Sequence, residues 1–213
     1  MSMNIDPGSL RTSKRDWLKM AVEILVTGGI DQVKVQVIAR NLGVSRSSFY
    51  WFFKSRQDLL DQLLAHWQNV NTRSLVERAE RPADSACRGV LNVFECWVNE
   101  ELFDPRLDIA VRDWARRSAK VRKVVDEGDT LRMNALTEMF KRQGYPEEEA
   151  FIRARVLYFM QIGYYSLEID EPMETRLSYL ASYLRCFTGL EPTQQEINDF
   201  HAFLKNGTST PAQ

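Results

Sequence analysis

Trp17, Ala21, Ile24, Leu25 and Gly28 fall at i, i+4, i+7, i+8 and i+11, which predicts an amphipathic helix opening near Ser13. Ser13 with Asp16 three residues on has the form of a capping box with Asp in place of Glu, and Gly28-Gly29 supplies the stop. Ile38, Ala39 and Leu42 mark a short second helix, ended by Gly43. Ser45 is expected to cap a third, with Phe49, Phe52 and Phe53 on its inner side and Tyr50 and Trp51 facing outward. Helices this short are not stable separately, so the three apolar faces must be buried against one another.

Ser55, with Asp58 three residues later, opens a longer pattern through Leu59, Leu60, Leu63, Leu64 and Trp67, predicting one helix to about Glu80. "RPADS" at 81–85 breaks it. Further helices are expected near 83–102, 105–119, 121–143, 147–168, 173–188 and 193–205, punctuated by Pro105, Gly128, Gly144, Pro172 and Pro192. No segment alternates with period two, so the expected fold class is all-α. The expected division is 1–58, 59–205 and a loose tail at 206–213.

Composition changes little, for 44% hydrophobic and 27% charged residues are ordinary globular values. No apolar run is long enough for a membrane span, and the opening residues lack the apolar centre of a signal peptide, so a cytoplasmic protein is expected. Cys87, Cys96 and Cys186 lack CxxC spacing, which argues for free buried thiols rather than disulfides or zinc. No cofactor loop and no metal or nucleophile motif is present, and nothing speaks for an enzyme. Charge is more telling in its distribution. Residues 1–60 hold nine Lys and Arg against five acids, a net +4, within a chain whose total is −1. A basic end on an acidic body is the asymmetry expected when one end meets phosphate.

The stretch "VIARNLGVSRSSFYWFFKSRQDLL" at 37–60 therefore reads as a helix-turn-helix, with Gly43 in the turn. The second helix of such a unit enters the major groove N-terminus first, which presents Ser45, Arg46, Ser47 and Ser48. Arg46 is long enough for a bidentate contact to guanine, worth about 1–3 kcal/mol of discrimination.

This stretch resembles the signature of TetR-family transcriptional regulators over roughly residues 12–66. The resemblance implies a three-helix DNA-binding domain joined by a long helix to a C-terminal helical domain that dimerises and usually binds a small effector. It implies base reading by Arg46, backbone contacts from Ser48 and Tyr50, a DNA-facing position for Gln36, and Arg56 near a phosphate where the family usually has Lys. Trp51 and Lys54 flank the same surface, Trp51 as a brace of the fold or a DNA neighbour, Lys54 as a contact or a solvated charge. Three departures stand out: Phe52 replaces a frequent His, Lys34 stands at a usual Thr or Ser cap, and Ser47-Ser48 replaces a Gly-Thr type pair.

In the larger part, Phe94, Trp97, Trp114, Met133, Leu136, Phe140, Tyr158 and Gln161 combine bulky walls with polar tips, as a ligand cavity or a plain core would. Phe159, Ile162 and Tyr165, then Leu180, Tyr183, Leu184 and Phe187, form stripes suited either to a homodimer interface or to the subunit core. The basic run at 107–123 reads as a solvated face with Asp108, Asp113 and Asp126 as partners, or as an anion site. The expected partners are double-stranded operator DNA, a second copy and a small-molecule effector, with repression relieved by the ligand. Against it stand a helical enzyme or a small-molecule or lipid-binding protein with a helix-turn-helix-like N-terminus, and an activator without a ligand.

Overall fold

The computed structural model describes residues 12–207, whose regular elements are all helical, with no strand among them. They form two compact units, divided between Ala65 and His66. The division falls seven residues later than the expected end at 58 and lies inside a helix. Arg11 and the residues before it, and the tail from 208, lie outside the described residues; of the expected tail, 206 and 207 still belong to the last helix.

In the first unit, α1 (Lys14–Gly28) starts on the expected box: the Asp16 N–H donates to Ser13 Oγ, and the Ser13 N–H donates to the Asp16 carboxylate at 2.7 Å. A 3₁₀ turn (Ile30–Gln32) leads to α2 (Val35–Leu42). Gly43 closes α2 at φ 68° and ψ 27°, a left-handed geometry that side chains with a Cβ adopt reluctantly. The N–H of Val44 returns to the Ala39 carbonyl, which completes the C-terminal cap. The third helix (Arg46–Trp51) is 3₁₀, not α. Trp17, Phe49 and Phe53 are buried, with ring centroids 5.3 Å and 5.1 Å apart in sequence, and Ile24, Ile38 and Leu59 join the same interior. Each such burial stabilises by about 1.5–3 kcal/mol.

α3 (Arg56–Trp67) opens where expected, the Asp58 N–H donating to Ser55 Oγ and the Asp58 carboxylate accepting from the Lys54 N–H. It does not run on as α-helix to Glu80. Residues Gln68–Arg73 form a π-helical segment before α4 (Ser74–Glu80). The wider turn brings Asn71 and Thr72 inward, where both are buried. α5 (Ala86–Trp97) follows, capped by Ser85, then α6 (Pro105–Ala115), α7 (Ala119–Arg142) and α8 (Glu147–Ser166). Gly128 does not interrupt α7; its missing Cβ instead admits the Trp67 ring, 3.0 Å from where a Cβ would stand. The helix expected over 173–188 is two, α9 (Met173–Ser178) and α10 (Leu180–Thr188), and α11 (Gln194–Gly207) ends the described chain. α7 packs along α8, α4 and α6, while α5 packs against α4, α10 and α11. All three thiols are free, but Cys186 is exposed, contrary to expectation. Burial pushes the Cys96 thiol up to about 12, so it is a packing group.

Asp108 and Arg132, both fully buried, sit at the centre of the second unit. Arg132 Nη1 and Nη2 each donate to Asp108 Oδ1 at 3.1 Å, and Nε donates to Thr72 Oγ1. Trp67 Nε1 donates to the same Asp108 oxygen at 2.8 Å, and Arg112 Nε to the other at 2.7 Å. Arg112 also grips Asp129 with two bonds, and Tyr158 donates to Asp129 while accepting from both arginines. The Arg132 guanidinium lies 5.0 Å from the Trp67 ring and 5.4 Å from the Phe103 ring. Burial alone would push the Asp108 carboxyl up, but Arg132 and Arg112 outweigh it and hold it below the ordinary carboxylate value.

Asp108→Ala leaves Arg132 buried without its carboxylate and is expected to lower unfolding free energy by about 3–5 kcal/mol, measured by urea titration. Adding Arg132→Met should recover part of that loss, because the uncompensated charge goes too. The folded value is depressed, so the stabilisation is complete above the unfolded carboxylate value of 3.8 and is lost as pH falls through the lower folded one. Urea midpoints should therefore keep this contribution at neutral pH and lose it below about pH 4 in the parent, with a shallower acid loss in Asp108→Ala.

Candidate nucleic-acid interface and interior cavity

The first unit presents one polar and aromatic surface built by α2, its turn and the 3₁₀ helix. Gln36 on α2 is exposed, and so are Ser45, Arg46 and Ser47 at the start of the 3₁₀ helix. Ser45 occupies the N-cap position in extended conformation but does not cap; its hydroxyl pairs with that of Ser47 at 2.8 Å. Ser48, half-buried, donates to the Ser45 carbonyl at 2.6 Å, so it is engaged with its own turn. Phe49 anchors the helix from beneath, leaving Tyr50 65% and Trp51 84% exposed. Phe52, expected among the inner aromatics, is half-buried. The Tyr50 ring meets Phe49 edge-on at 5.2 Å, which restrains it against the anchored aromatic. Lys54 is exposed just beyond.

Arg56 is placed differently from the expectation. Its Nε donates to the Val33 carbonyl at 2.7 Å and its Nη2 to the Ile30 carbonyl at 3.2 Å. The guanidinium thus ties the start of α3 to the 3₁₀ turn after α1 and satisfies two backbone acceptors there. A sequence shows the cation but not the carbonyls, which come from residues 23 and 26 positions away.

In the second unit, a cavity of about 60 Å³ lies among α5, α8, the loop after it, α9, α10 and α11. Of the residues proposed for a cavity, Phe94, Trp97 and Gln161 line this one. The other expected lining residues do not. Leu136 and Phe140 are buried on the inner side of α7, Met133 packs against the same core, Trp114 is buried on α6, and Tyr158 belongs to the Asp108 network. Residues missed from sequence include Met160, Tyr164, Glu171, Arg176, Leu177 and Phe200. Most sit on α9, α11 and the loop, where short helices gave little periodicity to read.

The two dimer stripes also separate. Leu180, Leu184 and Phe187 are buried in the subunit core, and Ile162, Tyr165 and Tyr183 are half-buried against it, Leu180 and Tyr183 also lining the cavity. Phe159 alone of the set is strongly exposed. It continues a row on α8 with Phe151, Ile152 and Val156, all between 43% and 52% exposed, and the Arg155 guanidinium lies over the Phe151 and Phe159 rings. The basic run at 107–123 is largely paired internally: Arg112 as described, Arg122 with Asp126 at 3.5 Å and Lys123 with Glu127 at 3.9 Å.

Residues 18–63 match the family described as bacterial regulatory proteins, tetR family. By sequence, no curated protein matches the chain. By fold, the chain is similar to AmtR of Mycobacterium smegmatis, at 19% identity and a TM-score of 0.60, covering 98% of this chain and 99% of that one. It is also similar to GusR of Salmonella enterica, at 14% identity and 0.57, covering 91% and 93%. FadR of Bacillus subtilis in complex with stearoyl-CoA is a third, at 15% identity and 0.55, covering 94% and 100%. At these identities the likeness is one of fold.

Two arginines on the first unit should behave oppositely. Arg46→Ala is expected to weaken duplex binding while leaving the melting temperature within about 1 °C, since surface changes rarely exceed 0.5 kcal/mol. Arg56→Met should lower the melting temperature, because two backbone carbonyls lose a charged donor, yet leave the salt slope of DNA binding unchanged, whereas loss of a phosphate contact reduces that slope by about 1. Thermal melts and salt titrations of a fluorescent duplex check both.

Proposed function

We propose that this chain, whose residues 18–63 match the family described as bacterial regulatory proteins, tetR family, is a dimeric repressor released from its operator by a small molecule. The observation that carries the reading is the surface just described: Arg46, Tyr50 and Trp51 displayed at the start of a second helix whose opposite side is fixed by Phe49 and Phe53. Exposed aromatics beside cations are costly to leave in water and suit a polyanion that supplies charge and apolar sugar edges together. Gln36 extends the reading surface onto α2, and Lys54 adds a phosphate partner.

One such helix buries too little for specificity, and two related by a dyad read half-sites about 34–36 Å apart. The exposed α8 row of Phe151, Ile152, Val156 and Phe159 supports a second copy as its cover. The isologous pairing of two such rows would set the α8 helices of the two copies against each other across the dyad. For release, α3 carries the last residues of the first unit and the first of the second, so a ligand that shifts α3 changes the spacing of the reading helices. A preference of about 2.7 kcal/mol for the spread state moves the balance a hundredfold. The FadR neighbour is described with stearoyl-CoA; the small cavity here favours a smaller effector.

Selection of bound sequences from random duplex DNA should return a palindrome for the parent. Phe159→Glu with Ile152→Glu should give a monomer by analytical ultracentrifugation and lower affinity for the selected duplex by about 10²-fold or more, as one half-site is lost. A monomeric parent, or a non-repeating selected site, would set the dimeric reading aside.

A further inference from the structure

The cavity of the second unit is apolar on most sides and carries one unmet donor. Phe94, Trp97, Leu180 and Phe200 supply walls, with the Phe94 and Trp97 rings 5.4 Å apart. Gln161 projects from α8 among them at 5% exposure, and its amide nitrogen is buried without a hydrogen-bond partner. It lies near the Tyr165 hydroxyl, where burial pushes the phenol up and the Gln161 amide opposes that rise, but the two do not meet in hydrogen-bond geometry. On the same lining, the Tyr164 hydroxyl already donates to Glu171 at 3.2 Å, and Arg176 lies over the Tyr164 ring, adding further donors. A buried amide left unpaired is an expense that native interiors avoid, so its natural resolution is an acceptor brought from outside.

The space limits what brings it. The enclosed space of about 60 Å³ is less than half the roughly 150 Å³ in which a benzene ring is fully buried, so the occupant is a single ring at most, with part of it in the open mouth of the cavity. We propose that this cavity binds a single-ring aromatic compound bearing a carbonyl oxygen (aryl amide, ketone, ester or carboxylate), the oxygen accepting from Gln161 Nε2 and the ring lying against Phe94 and Trp97. The inference rests on the effector reading above and gives that effector a chemical class. Glu171, with one oxygen engaged by Tyr164, disfavours an unshielded acid at its end of the cavity, and Arg176 offsets it.

The test is calorimetric titration of the full chain, without DNA, using benzamide, benzoate, toluene and benzylamine as probes. Benzamide or benzoate should bind at least about tenfold more tightly than toluene or benzylamine. Gln161→Met, close in volume, should bring benzamide down to the toluene level, leave toluene within about twofold, and raise the melting temperature of the free protein because the unmet donor is gone. The parent series alone decides if that variant fails to fold. No binding of either carbonyl compound at about 10 mM, a preference for benzylamine, or full benzamide affinity in Gln161→Met overturns the assignment. Benzamide bound with the operator still held would support this assignment and defeat ligand-driven release; operator binding without any aryl carbonyl binding would do the reverse.

Discussion

The second unit is organised around a charge that cannot be left alone. Arg132 is fully buried, and Asp108, Thr72, Tyr158, Asp129 at 3.9 Å and the faces of Trp67 and Phe103 offset a prohibitive desolvation cost. Those partners come from the end of α3, the π-helical segment, the turn before α6, and α6, α7 and α8. A single ion pair thus fixes which residues of six elements may face inward. It also accounts for Gly128, since a Cβ there would strike the Trp67 ring that the network holds. Such a pair adds less to net stability than an apolar core of equal volume, but it penalises every alternative packing, which would strand a charge.

The first unit works by a different economy. Its aromatics divide by turn geometry, Phe49 and Phe53 inward, Tyr50 and Trp51 outward, so one five-residue stretch both anchors the fold and displays the surface. Gly43 permits the tight entry to it, and Arg56 stitches its exit to the carbonyls of Ile30 and Val33. Arg46 is left at the edge with a small-residue neighbourhood of serines, a shape that allows backbone and base edges to approach closely.

Much of this was legible in the residues because its causes are local. The box at Ser13 and Asp16, the left-handed stop at Gly43, the start at Ser55 and Asp58, and the aromatic sorting within 49–53 all depend on neighbours within a few positions. What escaped depends on distant partners. The π-helical turn exists because Asn71 donates to the Asp104 carbonyl and Thr72 receives Arg132, 33 and 60 residues away. Arg56 was read as a phosphate contact for the same reason. On α8 the sequence singled out Tyr158, Phe159, Gln161, Ile162 and Tyr165, and only packing separates the inner Ala154, Leu157, Tyr158 and Gln161 from the outer Ile152, Val156 and Phe159. The stripe through Leu180, Leu184 and Phe187 was ambiguous between core and interface, and burial places it in the core.

The claim on which the functional account stands is that the 3₁₀ helix beginning at Arg46 reads base edges in the major groove. Methylation interference addresses it without altering the protein: duplexes sparsely methylated at guanine N7, a major-groove position, are sorted into bound and free. The account predicts that methylation at guanines in two half-sites, about 10–10.5 base pairs apart centre to centre or a multiple of that, blocks binding. Binding indifferent to N7 methylation throughout, or blocked only by minor-groove adenine methylation, would contradict it.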